Sequence, residues 1–239
     1  MGAARRFLAP HAARCRDLRL DAAETHHLLR VLRLPPGADI EVFDGAGNAF
    51  SARFVKVDAE TRCLVERGAA LPAREPAIRL AVGVAVPKGD GLTAIIRQLA
   101  EIGASAIVPL TTERSEGRAA SDRLGRWRAA ALSGTRQSGR AAVPTVAAPA
   151  AFEDWLRGNL GPDRWIASPP TARAIPPAAP GAGVAGDRFL AVGPEGGFSA
   201  RELEDAHRRG FRRLDLGERI LRTGTAAVLA AALLLRQAE

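Results

Sequence analysis

The chain has 239 residues and a formal net charge of +8, with 47% apolar residues and 25% charged ones. That is enough for one large domain or two small ones with a real core. The longest apolar run, Ala226 to Leu235, is about half the roughly twenty residues a spanning helix requires, so a membrane span is excluded.

No apolar stretch follows Arg5 and Arg6, and no secretory signal is expected. Cys15 and Cys63 fit no metal template and make no disulfide framework, which points to a reducing, cytoplasmic setting. Of the 34 basic residues only Lys56 and Lys88 are lysines, a bias that a GC-rich genome produces by itself. The charge is nonetheless uneven: residues 1–76 carry a net +2, residues 77–239 a net +6, and Arg114 to Arg140 alone a net +5. Such a patch concentrates a polyanion, so nucleic acid is the favoured partner over a plainly solvated surface.

In chain order, apolar residues at helical spacing from Ala22 to Leu32 predict a helix ending near Pro35-Pro36. Ile40 to Phe43 alternates and stops at Asp44-Gly45-Ala46-Gly47-Asn48, a hairpin signal. Phe50 to Val57 is the returning strand, and its change of period at Phe54 and Val55 suggests a bulge. Arg62 to Glu66 is a third strand, and the whole predicts a small β-barrel-like module. Leu71 to Pro76, with prolines at 72 and 76, breaks both helix and ladder and is expected to be a linker.

After the linker strand and helix alternate. Ile78 to Val86 is a near-continuous apolar strand. Asp90 stands where a cap is expected for a helix with the stripe Leu92, Ile95, Ile96, Leu99 and Ile102. Strands are expected at Ala106–Leu110, Trp165–Ala167, Phe189–Val192 and Leu214–Leu216, and helices at Ser121–Leu132 and Thr225–Gln237. Ser199 with Glu202 forms a capping box that opens another helix. Ser168 to Gly186 is expected to be a loop. This alternation implies an α/β fold with a mostly parallel sheet covered on both faces.

Three segments follow strands and suit a ligand at the sheet's carboxyl edge. The most informative is Val192-Gly193-Pro194-Glu195-Gly196-Gly197, whose glycines permit tight turning and close backbone approach. It is neither a dinucleotide fingerprint nor a Walker loop, and an ordinary βα turn fits it equally. The second runs from Leu216 to Ala226, with Arg222 just ahead of the last helix, suited to a ligand or to capping a carbonyl. The third is Trp165 to Arg173, turning at Ser168-Pro169-Pro170. Two basic clusters, His26 with Arg30 and Arg33 on one helical face, and Arg136 to Arg140, suit phosphate contact or solvent alike. Four histidines form no metal pattern, and no nucleophile elbow is present. Glu101, Glu113 and Glu195 are candidate acid–base carboxylates. Trp127 and Trp155 are expected in the core.

Several stretches in fixed order resemble the 16S ribosomal RNA (uracil-N3) methyltransferase family, RsmE, of the SPOUT class. They are Arg5-Arg6-Phe7, His26 to Arg33, Val42 to Gly45, Lys88-Gly89-Asp90, Glu101 to Gly103, Thr112-Glu113-Arg114, Gln137 to Arg140, Val192 to Gly197, and Leu216 to Ala226. The resemblance implies a PUA-like RNA-binding β-barrel domain at 1–72. It implies a SPOUT α/β methyltransferase domain with a C-terminal trefoil knot at 77–239. By motif match, S-adenosylmethionine would be held by Ala167, Ser168, Pro169, Val192, Gly193, Pro194, Gly196, Gly197, Leu216, Gly217, Leu221 and Thr223. Arg222 and Glu195 would be catalytic. Arg6, His26, Arg30, Arg33, Lys88, Arg114, Arg136 and Arg140 would contact RNA. The family is dimeric through the C-terminal helix, which gives Ala226 to Leu235 a burial site. The expected partner is 16S rRNA or the small ribosomal subunit, with no metal.

The chain departs from the family pattern at Gly91, Arg97-Gln98, Arg136 and Gly224, the last two standing where members carry glutamate. These departures keep two alternatives open: a SPOUT enzyme with another RNA target, and a noncatalytic RNA-binding or ribosome-assembly factor.

Overall fold

Apolar and polar residues alternate along Asp39–Phe43, so one face of that strand must be buried. The computed structural model describes residues 5–72, 74–117, 121–158, 161–168, 177–178 and 186–236, and the chain divides into two units. The first comprises residues 1–75 together with 135–143. Its strands are β1 (Arg6–Leu8), β2 (Asp17–Arg19), β3 (Asp39–Phe43), β4 (Ala49–Val57) and β5 (Cys63–Ala70). They form one sheet in the order β1-β3-β4-β5-β2, antiparallel except for the β1–β3 pair. The Asp44 carboxylate closes the β3–β4 hairpin by accepting from the amides of Ala46 (2.8 Å) and Asn48 (3.0 Å). Gly45 and Gly47 there adopt φ of 81° and 118°, which favour glycine. The register of β4 against β5 slips between Phe54 and Lys56, at the expected bulge, and again between Phe50 and Ala52. Phe7, Leu20, Leu28, Val42, Phe54 and Val65 fill the core beneath.

The expected helix from Ala22 to Leu32 is only half realised. Helix α1 covers Ala22–His26, with the Asp21 carboxylate capping the Glu24 amide. A π-helical turn takes over at His27–Val31, and Arg33 follows with φ of 52°. The wider turn changes the angular step per residue, so His26, Arg30 and Arg33 do not share the α-helical face that their spacing implies.

The second unit comprises residues 76–134 and 144–239. It contains β6 (Leu80–Ala85), α2 (Gly91–Ile102), β7 (Ala106–Thr111), α3 (Leu124–Ser138), β8 (Thr145–Val146), β9 (Ala150–Ala151), α4 (Phe152–Arg157), β10 (Asp163–Ala167), β11 (Pro177–Ala178), β12 (Arg188–Val192), α5 (Ala200–Arg208), β13 (Arg212–Leu214) and α6 (Thr223–Arg236). The last turn of α3 groups with the first unit. The sheet is parallel in the order β11-β13-β10-β12-β6-β7-β8, with β9 also pairing to β7. Alternate residues of its central strands serve two cores. Trp165, Ala167, Leu190 and Val192 pack with Ile95, Ile96, Leu99 and Ala230, while Ile166 and Ala191 pack with Phe152, Phe198 and Phe211. Both faces are covered, as near-continuous apolar strands require.

The linker is expected at Leu71 to Pro76, between domains at 1–72 and 77–239, and the division falls at Glu75/Pro76. Residues 135–143, expected in the second domain, group with the first. The reason is the Glu75 carboxylate. It accepts from the amides of Ala141 (2.8 Å) and Ala142 (2.9 Å) and from the Arg140 guanidinium (2.7 Å). Asp90 precedes α2 but makes no cap; its carboxylate pairs with Arg126 instead. The last strand lies at Arg212–Leu214, earlier than the expected Leu214–Leu216. Most of the loop expected at Ser168–Gly186 lies outside the described residues, as does Gln237.

Candidate active site

The carboxyl ends of β10, β12 and β13 lie side by side, because β12 and β13 flank β10. The loops that leave them meet in one cleft in the second unit. It is lined by Ala167 and Ser168 after β10, by Val192, Gly193, Glu195 and Gly197 after β12, and by Leu216, Gly217, Arg219, Ile220, Leu221 and Thr223 after β13. Local physics holds each loop. The Pro194 carbonyl accepts from Gly197 N–H at 2.9 Å, with Gly197 at φ of 67°. Gly193 lets the loop pack tightly, since a Cβ there would stand 3.1 Å from the Phe198 ring and the ring would have to give way. The Asp215 carboxylate accepts from Gly217 N–H at 2.9 Å, and Gly217 has φ of 85°. The buried Thr223 hydroxyl donates to the Gly193 carbonyl at 3.1 Å, tying the second loop to the start of α6.

The β12 loop is braced from behind as well. Ser199 and Glu202 form the expected capping box, with Ser199 N–H donating to the Glu202 carboxylate at 2.8 Å. The other Glu202 oxygen accepts from Glu113 N–H at 2.9 Å, and Arg114 donates to the Gly196 carbonyl at 3.0 Å. Glu113 and Arg114 therefore serve the glycine loop, the first through its backbone.

The cleft suits an amphipathic ligand. The Ser168 hydroxyl is buried there without a hydrogen-bond partner among the described residues, which a bound polar group would relieve. Leu216, Leu221 and Ile220 offer apolar surface, and Ile220 is 79% exposed. An adenosyl group and an amino-acid tail need both kinds of surface, so these residues fit S-adenosylmethionine. Glu195 and Thr223 also line a second, adjoining groove with Lys88, Gln98, Arg222 and the apolar side chains Ile95, Val228 and Leu229. Glu195 and Arg222 are both exposed. Lys88 pairs with Glu116 at 3.0 Å, and that hydrogen bond raises its pKa.

A family model described as an RNA methyltransferase domain matches residues 74–235, and one described as an RNA methyltransferase PUA domain matches residues 20–65. A ribosomal RNA small subunit methyltransferase E from Synechocystis is 33% identical over 220 residues, spanning 89% of this chain and 71% of the relative. The same enzyme of Bacillus subtilis is 30% identical over 231 residues, spanning 90% and 88%. The chain belongs to the ribosomal RNA small subunit methyltransferase E family. A crystal structure of the Neisseria gonorrhoeae member bound to S-adenosyl methionine superimposes with a TM-score of 0.85 at 30% identity, covering 95% of this chain and 94% of that one. The N-terminal unit is accordingly PUA-like, and the second is the methyltransferase unit.

Against this family frame the expected site residues separate clearly. Ala167, Ser168, Val192, Gly193, Gly197, Leu216, Gly217, Leu221 and Thr223 line one cleft. Pro194 and Gly196 stand in the same loop without lining it, and Pro169 lies outside the described residues. Arg219, Ile220 and Ala226 line the cleft but were not singled out; their place inside the Leu216–Ala226 segment was the available signal.

The expected RNA contacts hold less well. Arg6 is 5% exposed, donates to Glu41 at 2.7 Å and to the Arg140 carbonyl at 2.8 Å, and lies over the Phe43 ring. Arg140 is 4% exposed and paired with Glu75. Arg136 pairs with the buried Glu24, and burial lowers its pKa. These three guanidiniums are built into the first unit and are not free for phosphate, because the sequence does not reveal which carboxylates meet them. Arg114 likewise braces the Gly196 carbonyl. His26, Arg30 and Arg33 are exposed, as is Lys88.

Proposed function

We propose that this chain is an S-adenosylmethionine-dependent rRNA methyltransferase that modifies N3 of a uridine in the small-subunit rRNA. The observation that carries the reading is the convergence of three strand-end loops on one cleft that holds Glu195 and the Ser168 hydroxyl, unpartnered among the described residues, with Arg222 in the adjoining groove. Bound S-adenosylmethionine supplies an electrophilic methyl group. The glycine loop brings backbone amides and carbonyls to the cofactor, while Leu216, Ile220 and Leu221 exclude water from its apolar part.

Uracil N3 carries a proton that must leave before a lone pair can attack. Glu195, an exposed carboxylate that lines both cleft and groove, would take it in this reading. Arg222 stabilises the negative charge that grows on the uracil as that proton leaves. N3 lies on the pairing edge, so the uridine must be unpaired or flipped out to enter the groove. Within this reading the knot implied by the resemblance shapes the cofactor loops. A second copy of the chain covers the α6 face, where Leu229 and Leu233 are 39% and 37% exposed. The cytoplasm, where ribosomes are made, is the matching location.

The test is complementation. The chain is expressed in cells lacking the uracil-N3 methyltransferase, and 16S rRNA nucleosides are analysed by mass spectrometry. Appearance of 3-methyluridine supports the assignment, and methylated ribose in its place would move the target to the sugar. Soluble protein with neither product, and no heat on titration with S-adenosylmethionine, would refute the enzymatic reading.

A further inference from the structure

Among the described residues the Glu195 carboxylate has no hydrogen-bond or ion-pair partner, so its place is set by its backbone. That backbone is a turn. Gly197 N–H donates to the Pro194 carbonyl at 2.9 Å, with Glu195 and Gly196 between them. The Gly196 carbonyl lies in the same peptide plane as the Gly197 N–H. It accepts from Arg114 Nη1 at 3.0 Å. One peptide plane just after Glu195 is thus held from both ends. The Arg114 stem runs along it, since a Cβ at Gly196 would meet Arg114 Cβ at 3.5 Å and Cδ at 3.7 Å.

These contacts close into a ring. Arg114 follows Glu113, whose N–H donates to Glu202 at 2.9 Å. The other Glu202 oxygen accepts from Ser199 N–H at 2.8 Å, two residues past Gly197. Glu202 is 9% exposed, and a buried carboxylate shared by two amides is costly to displace. The segment that presents Arg114 is fixed by other contacts too. Thr112 N–H donates to the Ser115 hydroxyl at 3.1 Å, and a Cβ at Gly117 would stand 2.4 Å from the Pro87 carbonyl oxygen. The arm that reaches Gly196 therefore starts from a rigid base.

We propose that Arg114 and Glu202 are positioning residues, which hold the Glu195 carboxylate at the uracil N3 proton by fixing the peptides that follow it. The proposal rests on the reading of Glu195 as the base. It gives Arg114 a signature different from that of a phosphate ligand. A guanidinium spent on a loop carbonyl acts on turnover, whereas one spent on phosphate acts on RNA affinity and its salt dependence.

The experiment pairs two measurements on the full chain. One is methyl transfer from S-adenosylmethionine to small ribosomal subunits from cells lacking the uracil-N3 methyltransferase. The other is hydrogen exchange of the Gly197 and Ser199 amides in the free protein. Arg114→Ala should lower kcat roughly tenfold, the worth of one hydrogen bond, with the KM for RNA and the Kd for S-adenosylmethionine within about twofold of wild type. Arg114 is exposed, so this variant should fold, which thermal unfolding checks. Arg114→Lys still donates to the carbonyl and should recover most of the loss. Glu202→Gln turns an amino group against one of the two amides, and it and Arg114→Ala should both speed exchange in the loop. On a Glu195→Gln background Arg114→Ala should cost no further turnover, because both act through one group. A raised KM for RNA with unchanged kcat, a loss that adds in full to that of Glu195→Gln, or wild-type exchange in both variants would each overturn the proposal. If Glu195→Gln is slow and Arg114→Ala is not, the proposal falls and the base assignment stands. If Glu195→Gln turns over as fast as wild type, or the wild type transfers no methyl group, that reading falls and the positioning role with it.

Discussion

Asp163 is 3% exposed and accepts from Arg188 Nε at 2.8 Å, from the Trp165 indole N–H at 2.6 Å and from Arg212. Arg188, also 3% exposed, donates in addition to the Leu234 carbonyl, so the network fastens α6 to the sheet. Asp163→Asn keeps the shape and one oxygen for Trp165, but its amide NH2 then faces the Arg188 Nε–H, so both the charge and that acceptor are lost. Removing one partner from a buried pair costs about 3–5 kcal/mol, because the other ion is left uncompensated. The Arg212 arm is worth far less. Its side chain is 40% exposed, so the ion pair contributes about 1 kcal/mol at most and its stacking on Trp165 about as much. At roughly 2–4 °C per kcal/mol for a unit of this size, Asp163→Asn should lower Tm by about 6–20 °C. Arg212→Ala, worth about 2 kcal/mol at most, should lower it by no more than about 8 °C. Calorimetry on both variants decides the matter. A Tm for Asp163→Asn equal to or above that of Arg212→Ala would refute the assignment of the Arg188 pair as the dominant arm.

Thr223→Val leaves the Gly193 carbonyl without its hydroxyl donor, a loss of about 1–3 kcal/mol, so the Kd for S-adenosylmethionine should rise at least about fivefold in calorimetry. On the proposed mechanism, in which the Arg222 charge acts only as the uracil loses its proton, Arg222→Ala should lower kcat by roughly 10²-fold with that Kd unchanged; an equal loss in cofactor affinity would place it in the cofactor site instead. Gly224 packs so that a Cβ would lie 3.2 Å from Ile95 Cγ1. Gly224→Ala therefore sets a helix-propensity gain of about 1 kcal/mol against that crowding, and denaturant unfolding should show a net change below the full gain. Partial burial opposes ionisation of Asp44, but hydrogen bonds from Asn48 and the amides of Ala46, Asn48 and Gly47 outweigh it and lower its pKa. The Arg62 amide is the main cause of the same shift at Asp58. A lowered folded pKa gives stability that is present above the unfolded value of about 3.9 and lost as pH falls through the folded one. Acid should therefore destabilise the first unit below about pH 4, and Asp58→Asn should shrink that pH dependence in circular dichroism melts.

The elements that the sequence made legible are those with a period long enough to count. The stripe of α2, the alternation of β3 and the capping box of Ser199 and Glu202 each declare themselves within a few residues. Strands β1 and β2 span Arg6–Leu8 and Asp17–Arg19, too short for alternation to show, and β1 joins β3 in a parallel pair that only the tertiary fold specifies. The π-helical turn at His27–Val31 was hidden for another reason. Its apolar positions satisfy an α-helical pattern, and the insertion that breaks the pattern leaves no residue signature. Asp90 shows the limit of cap reading: a carboxylate at the right position spends itself on Arg126.

The site divides along the same line. Glycine loops after strands are legible because backbone conformation demands them, as Gly197 and Gly217 show with their left-handed φ. Arginines are not, because a guanidinium's role depends on which carboxylate it meets. Arg6, Arg136 and Arg140 look in sequence like phosphate ligands, yet Glu41, Glu24 and Glu75 claim them from positions 35, 112 and 65 residues away. The same distant pairings bring residues 135–143 into the first unit. Charge counted along the chain therefore overstates the number of guanidiniums left open to a phosphate.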